Sequence, residues 1–237
     1  MNFEISPNDA MLPEMGQIWQ QTLKWQPTVE QQRQFQQLYE LVLTGNRQLN
    51  LTRITDPMEF WEKHLWDSLR GIAPFLENLS PSSPLPLKTQ HCIDIGTGAG
   101  FPGMPIAIAF PHWQVTLLDS TRKKITFLDS LLEQLGLPNA TTSIGRAEQI
   151  SKQPPHRHNY DIALIRAVGS ASVCAEYALP FLNIGGLAIL YRGNWTEEEG
   201  ELLQPTIERL GGQLESIEAF TTPLSQSVRH CLYLRKV

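Results

Sequence analysis

From about residue 90 onward, short apolar runs alternate with longer amphipathic stretches. Residues 90–95, 114–118, 140–144, 160–166 and 186–191 read as strand candidates. Between them, 104–110, 121–135, 170–181 and 196–210 repeat their apolar positions at helical spacing. Such alternation predicts an α/β fold: a doubly wound, mostly parallel sheet with helices on both faces. Two more strand-like runs, 213–220 and 230–235, are separated by a loop too short for a parallel crossover. The reading is therefore a seven-stranded sheet with an antiparallel last strand.

Upstream the period is helical. Residues 29–44 set Phe35, Leu38, Leu41 and Val42 on one face of a Gln-rich segment. Asp56-Pro57-x-Glu59 has the form of a helix start, with Asp at the N-cap, Pro at N1 and Glu at N3. That helix carries Phe60, Trp61, His64, Leu65, Asp67 and Ser68. His64 and Asp67, three apart, share its face, and the reading favours structural hydrogen bonds over a metal pair. Residues 80–88, rich in Pro and Ser, read as a linker. The chain thus divides into a helical region at 1–79, with a frayed lead-in over 1–12, the linker, and a sheet domain at 89–237.

Composition narrows the class. A hydrophobic content of 41% and a charged content of 18% describe a globular protein with a sizeable core. No apolar run is long enough to span a bilayer, and the first residues lack a basic stretch leading into an apolar one. Cys92, Cys174 and Cys231 stand far apart in apolar surroundings, as buried thiols of a reducing cytoplasm would. The net charge is -5, so an RNA substrate would require basic residues gathered on one face.

The chemistry concentrates in Cys92-Ile-Asp-Ile-Gly-Thr-Gly-Ala-Gly-Phe-Pro-Gly103. It reads as a strand breaking into a glycine turn that opens a helix, where backbone can approach a ligand closely. Gly98, Gly100 and Gly103 satisfy the G-x-G-x-x-G dinucleotide pattern, but D-x-G-x-G-x-G over 94–100 describes the run better. That form is similar to the cofactor loop of S-adenosylmethionine (SAM) methyltransferases. An acid at Asp94 would favour a cationic cofactor over a pyrophosphate.

Asp119 ends the second strand 23 positions after Gly96, where an acid commonly bonds ribose hydroxyls. It could alternatively cap the following helix. Ala147 and Glu148 follow the third strand, where an adenine would lie. Arg166 closes the fourth strand at the crevice edge. Neither a thiolate nucleophile nor a general base is evident near it. Methylation of guanine N7, which has a lone pair and no proton to lose, would need neither. Arg122, Lys123, Lys124, Arg146, Arg166 and Arg192 all follow strand ends on this rim, and Arg229 joins them if the last hairpin folds that way. A small-molecule methyltransferase and a nicotinamide dehydrogenase remain as alternatives at this point.

A set of motifs in order goes further: Asn46-Arg47-x-x-Asn50-Leu51-Thr52, Asp56-Pro57, His64-x-x-Asp67-Ser68, the glycine run, and Leu118-Asp119-Ser120. From about residue 28 onward the chain resembles the bacterial 16S rRNA guanine-N7 methyltransferases, the family of glucose-inhibited division protein B. The resemblance implies a SAM-dependent enzyme acting on a guanine in the decoding-region loop of the small ribosomal subunit or its assembly intermediate; a monomer is expected, since nothing in the sequence suggests an obligate dimer. By the same resemblance Gly96, Phe101, Asp119, Ser120, Thr121, Ala147, Glu148 and Arg166 would hold SAM, and the glycine turn itself adds Gly98 and Gly100. Arg146, Arg192 and Arg229 match basic positions on the family's RNA or catalytic side, Arg122 and Lys123 would face RNA by their place on the rim, and Arg166 and Arg192 are expected on the catalytic side. Arg192 stands where the family often has Lys; Arg keeps the charge and adds a planar fork.

Overall fold

A computed structural model describes residues 11–76 and 90–237. Most of the lead-in and all of the linker lie outside the described residues. The sheet has seven strands: β1 (His91–Ile95), β2 (Gln114–Asp119), β3 (Ala140–Ile144), β4 (Tyr160–Arg166), β5 (Leu182–Arg192), β6 (Gly212–Thr221) and β7 (Val228–Lys236). Their order is β3-β2-β1-β4-β5-β7-β6. The first five run parallel, and β7 enters antiparallel between β5 and β6. The predicted architecture, antiparallel last strand included, is therefore observed. Strand β5 starts four residues earlier than its apolar run, because Leu182 still pairs with Tyr160 across a bulge.

The helices number α1 (Gly16–Leu23), α2 (Val29–Leu49), α3 (Pro57–Phe60), α4 (Asp67–Arg70), α5 (Ala73–Leu76), α6 (Gly103–Ala109), α7 (Arg122–Leu135), α8 (Ala147–Ile150), α9 (Ala171–Ala178) and α10 (Glu197–Arg209). Thr28 and Gln31 form a reciprocal capping box at the start of α2. Asp56 caps α3 as its sequence predicts, accepting from the N–H groups of Met58 and Glu59. The run predicted as one helix over 170–181 finishes as a 3-10 turn at Leu179–Phe181, around Pro180.

The N-terminal helices bury Trp19, Phe35, Leu38, Phe60, Trp61 and Leu69 in the same hydrophobic cluster as Phe101, Met104 and Leu128 of the sheet domain. Phenol groups fasten them further: Tyr191 donates to the Ser68 carbonyl and Tyr233 to that of Gly71. Gly71 has no alternative, since a Cβ there would lie 2.4 Å from the Tyr191 ring. Between α3 and α4, Trp61–Trp66 winds as a π-helix, with the Asp67 N–H bonded to the Glu62 carbonyl five residues back. This segment runs beside the carboxyl ends of the strands and supplies part of the site.

Candidate active site

The chain leaves β1 at Gly96 and turns through Gly98 and Gly100, all at positive φ. Gly96 and Thr97 stay zipped to β2 through the Leu118 carbonyl. Asp94 does not face this turn. Its fully buried carboxylate accepts from the Thr97 hydroxyl at 2.6 Å and from the Gly103 N–H at 2.8 Å. Burial pushes its carboxyl up to about 6, against the pull of those two donors. The expectation that Asp94 selects a cationic cofactor is thus corrected: the acid turns inward and ties the loop to α6. Gly100 likewise turns inward: a Cβ there would lie 2.5 Å from Met104 and 3.2 Å from Leu128.

Asp119 is the acid that faces the turn. One carboxylate oxygen accepts from the Gly98 N–H at 3.1 Å, the other from the Thr121 N–H at 2.8 Å, and Lys124 approaches to 3.6 Å. Thr121, not Asp119, is the N-cap of α7, and its side chain makes no capping bond. A carboxylate accepts about four hydrogen bonds, which leaves Asp119 capacity for hydroxyl donors. With Gly96, Ser120, Arg146, Ala147 and Glu148 it lines a small crevice of about 80 Å³. Thr121, Arg122 and Lys123 are exposed at the start of α7.

Gly96 also lines a larger crevice of about 430 Å³, shared with Gly98, Phe101, His64, Asp67 and Arg166. Gly96 backbone is common to both crevices, and the Asp119 carboxylate lines the smaller one, where it could hold the hydroxyls of a nucleoside. At Gly96 a Cβ would lie 2.7 Å from the Val168 side chain, so the backbone admits no side chain there.

The roof comes from the helical region. His64 stacks on Phe101 with ring centres 4.2 Å apart, and its Nε2 meets the Thr52 hydroxyl at 2.9 Å. Asn46 in turn pins Thr52 by a reciprocal pair of bonds, with its amide on the Thr52 carbonyl and its Oδ1 on the Thr52 N–H. Burial, reinforced by the Arg166 and Lys63 cations, lowers the imidazole to about 3. Arg166 donates to the Asp67 carboxylate at 2.8 Å and to the Lys63 carbonyl at 3.1 Å. His64 and Asp67 therefore share a face, as their spacing predicts, but bond to different partners.

A third crevice, about 420 Å³, opens beyond Arg166 between Arg192, Arg229 and His230, with Asp67 and Glu199 as its carboxylates. The final hairpin does fold toward the rim. Arg192 is not free there: it donates to Glu199 at 2.5 Å and to the Gly169 carbonyl at 2.6 Å. Among the described residues, Arg146 and Arg229 make no ion pair. Cys174 is buried and bonds the Gly169 carbonyl; burial raises its thiol. Sequence spacing gave no sign of Glu62, a buried acid whose carboxylate accepts from the Leu224 and Ser225 N–H groups and so holds the β6–β7 hairpin. It sits at a position a helical wheel assigns to core, and its partners lie some 160 residues away in sequence.

Known proteins resemble this chain in sequence and in fold. Residues 31–230 match the family model described as rRNA small subunit methyltransferase G, GidB. A protein named ribosomal RNA small subunit methyltransferase G from Nostoc punctiforme is 68% identical, over 96% of this chain and 91% of its own. One of the same name from Trichormus variabilis is 65% identical over the same shares. Among solved structures, a SAM-dependent methyltransferase from Aquifex aeolicus superimposes with a TM-score of 0.54, at 14% identity, over 84% of this chain and 98% of its own. That last likeness shows the fold.

Proposed function

The chain belongs to the GidB family, rRNA small subunit methyltransferase G, and on that premise we propose that it methylates N7 of a guanine in 16S rRNA by in-line transfer from SAM. It is a SAM-dependent methyltransferase. The observation that carries the finer reading is the make-up of the crevice beside Gly96. Its lining side chains include no cysteine nucleophile; its one histidine has Nε2 on Thr52 and its ring on Phe101, and its one carboxylate, Asp67, is paired with Arg166. Burial and two nearby cations disfavour the charged form of the histidine, which makes that imidazole a poor base. Guanine N7 presents a lone pair and no proton. Alignment and the exclusion of water then suffice, and such positioning supplies several kcal/mol of the barrier.

When bound, the cofactor supplies an electrophilic sulfonium methyl group. Asp119 and the Gly96–Gly98 backbone would hold its nucleoside half, with Ser120, Ala147 and Glu148 around the base. Phe101, propped by His64, walls the neighbouring crevice and keeps it apolar on one side. Arg166 is held by Asp67 and the Lys63 carbonyl at the junction with the third crevice. Arg146, Arg229, Arg122 and Lys123 would meet phosphates, and the flipped guanine would enter above Arg166. Such contacts would concentrate positive charge on this rim despite a net charge of -5.

The test is direct. Small ribosomal subunits lacking the modification are incubated with the enzyme and methyl-labelled SAM, and the rRNA is digested to nucleosides. Label in 7-methylguanosine is the expected result. Label in another nucleoside, or none, would overturn the reading.

A further inference from the structure

The reading of N7 as the acceptor creates a recognition problem. Proteins usually identify guanine by an arginine fork on O6 and N7. An enzyme that alkylates N7 must leave that lone pair open, so a guanidinium there would block the reaction it serves. The remaining signature of guanine is its Watson–Crick edge, where N1–H and the 2-amino group point the same way as parallel donors. A flipped base is commonly read along that edge. Two parallel donors call for two parallel acceptors, and a carboxylate supplies them.

The crevice that opens beside Gly96 has one carboxylate among its lining residues, Asp67. Its charged neighbours there are Lys63, Lys124, Arg166 and Arg229, all donors only. Asp67 also lines the basic crevice beyond, so it stands at the passage between the two. Its Oδ2 accepts from Arg166 at 2.8 Å, and no described residue donates to its Oδ1. The carboxylate is only 14% exposed, which favours its bonds over competition from bulk water. Arg166 holds it from one side and leaves the other side open.

We propose that Asp67 is the specificity-determining residue, its carboxylate accepting from N1–H and the 2-amino group of the target guanine while N7 faces the methyl donor. The assignment rests on the N7 reading above. Adenine would present a bare N1 acceptor to this carboxylate and be repelled, whereas inosine would keep N1–H and lose one bond.

The experiment uses subunits reconstituted with inosine in place of the target guanosine, alongside unaltered ones, and compares kcat/KM. Wild-type enzyme should prefer guanosine by about ten- to a hundredfold, the range of a hydrogen bond to a charged group. Asp67→Asn, which swaps one acceptor for a donor, should lose most of that ratio and not only overall rate. A purely structural Asp67, holding Arg166, would slow both substrates alike and leave the ratio intact; that outcome overturns the assignment. So does a wild-type enzyme that treats inosine and guanosine equally, a measurement that needs no variant to fold. Absence of any 7-methylguanosine with unaltered subunits would instead strike the reading beneath it.

Discussion

The imidazole of His64 lies flat on the ring of Phe101, with 4.2 Å between ring centres and 7° between planes. The contact joins the π-wound segment of the helical region to the last residue of the glycine turn. Asp94 anchors the same turn from beneath. Both groups titrate abnormally, and in opposite senses as regards stability.

His64 is lowered from 6.5 to about 3 by burial, so between those values the unfolded chain holds a proton that the folded one does not. Its contribution is complete above pH 6.5 and is lost as the pH falls toward 3. Asp94 is raised from 3.8 to about 6 by burial, so there the folded chain holds the extra proton. Its contribution is present below pH 4 and is lost as the pH rises through 6. Between pH 4 and 6 the two cancel. Asp94→Asn should therefore gain stability with rising pH across that window, by about 1.4 kcal/mol per unit relative to wild type. His64→Gln should lose it at a similar rate. Urea titrations at several pH values measure both slopes, and parallel curves for all three proteins would refute the pairing.

Asp119 joins the Gly98 N–H to the Thr121 N–H through one carboxylate. Truncation in Asp119→Ala strands both donors and removes the acceptor facing the crevice. SAM affinity should fall about ten- to a hundredfold by calorimetry, the range set by hydrogen bonds to a charged group. Asp119→Asn keeps one oxygen acceptor and should fall between. Equal affinity in all three would remove Asp119 from the cofactor site.

Glu62 bridges the π-wound segment to the hairpin that carries Arg229. Glu62→Ala leaves the N–H groups of Leu224 and Ser225 without their acceptor, at a cost of about 2–3 kcal/mol. The expected drop in Tm is roughly 4–10 °C. Amide exchange at Leu224 and Ser225 should speed up before that of β5, whereas Glu62→Gln should retain most protection. An unchanged exchange rate at these two amides would show that the hairpin is held elsewhere.

The fold was legible because its strands announce themselves. Four of the five parallel strands carry short apolar runs, as burial on both faces demands, whereas β3 at the sheet edge is Thr- and Ser-rich; the glycine turn marks where the first strand ends. The candidate site was legible only in part. Gly96 and Asp119 owe their places to backbone topology, which spacing reports well. Asp94 and Gly100 belong to the same motif, yet the structure turns both into the core, since a pattern of residue types carries no direction for a side chain. The clamp from Glu62 and the pairing of Arg166 with Asp67 join residues far apart in sequence. Periodicity is blind to such bonds. The π-turn escaped for another reason: its residues suit an ordinary helix, and tertiary contacts of Glu62, His64 and Trp66 stabilise the wider winding.

Arg192 and Arg229 line the same crevice but differ in what they can offer a phosphate. Arg192 is held by Glu199 and the Gly169 carbonyl, and its Nε is buried without a partner. Arg229 makes no ion pair among the described residues, and its guanidinium lies beside Gly193. A phosphate gains little from a cation whose charge is already balanced, because the carboxylate must be displaced first. Each phosphate neutralised on a single strand contributes about 0.7 to the slope of log affinity against log salt. Arg229→Ala should therefore weaken rRNA binding and flatten that slope by roughly 0.7 to 1. Arg192→Ala should change the slope by much less, although loss of its bonds to Glu199 loosens the start of α10. Glu199→Gln, which frees the Arg192 guanidinium, should steepen the slope and tighten binding at low salt. Filter binding to small subunits across a salt series tests all three variants. A slope for Arg192→Ala as flat as that for Arg229→Ala would mean that RNA draws Arg192 away from Glu199 after all.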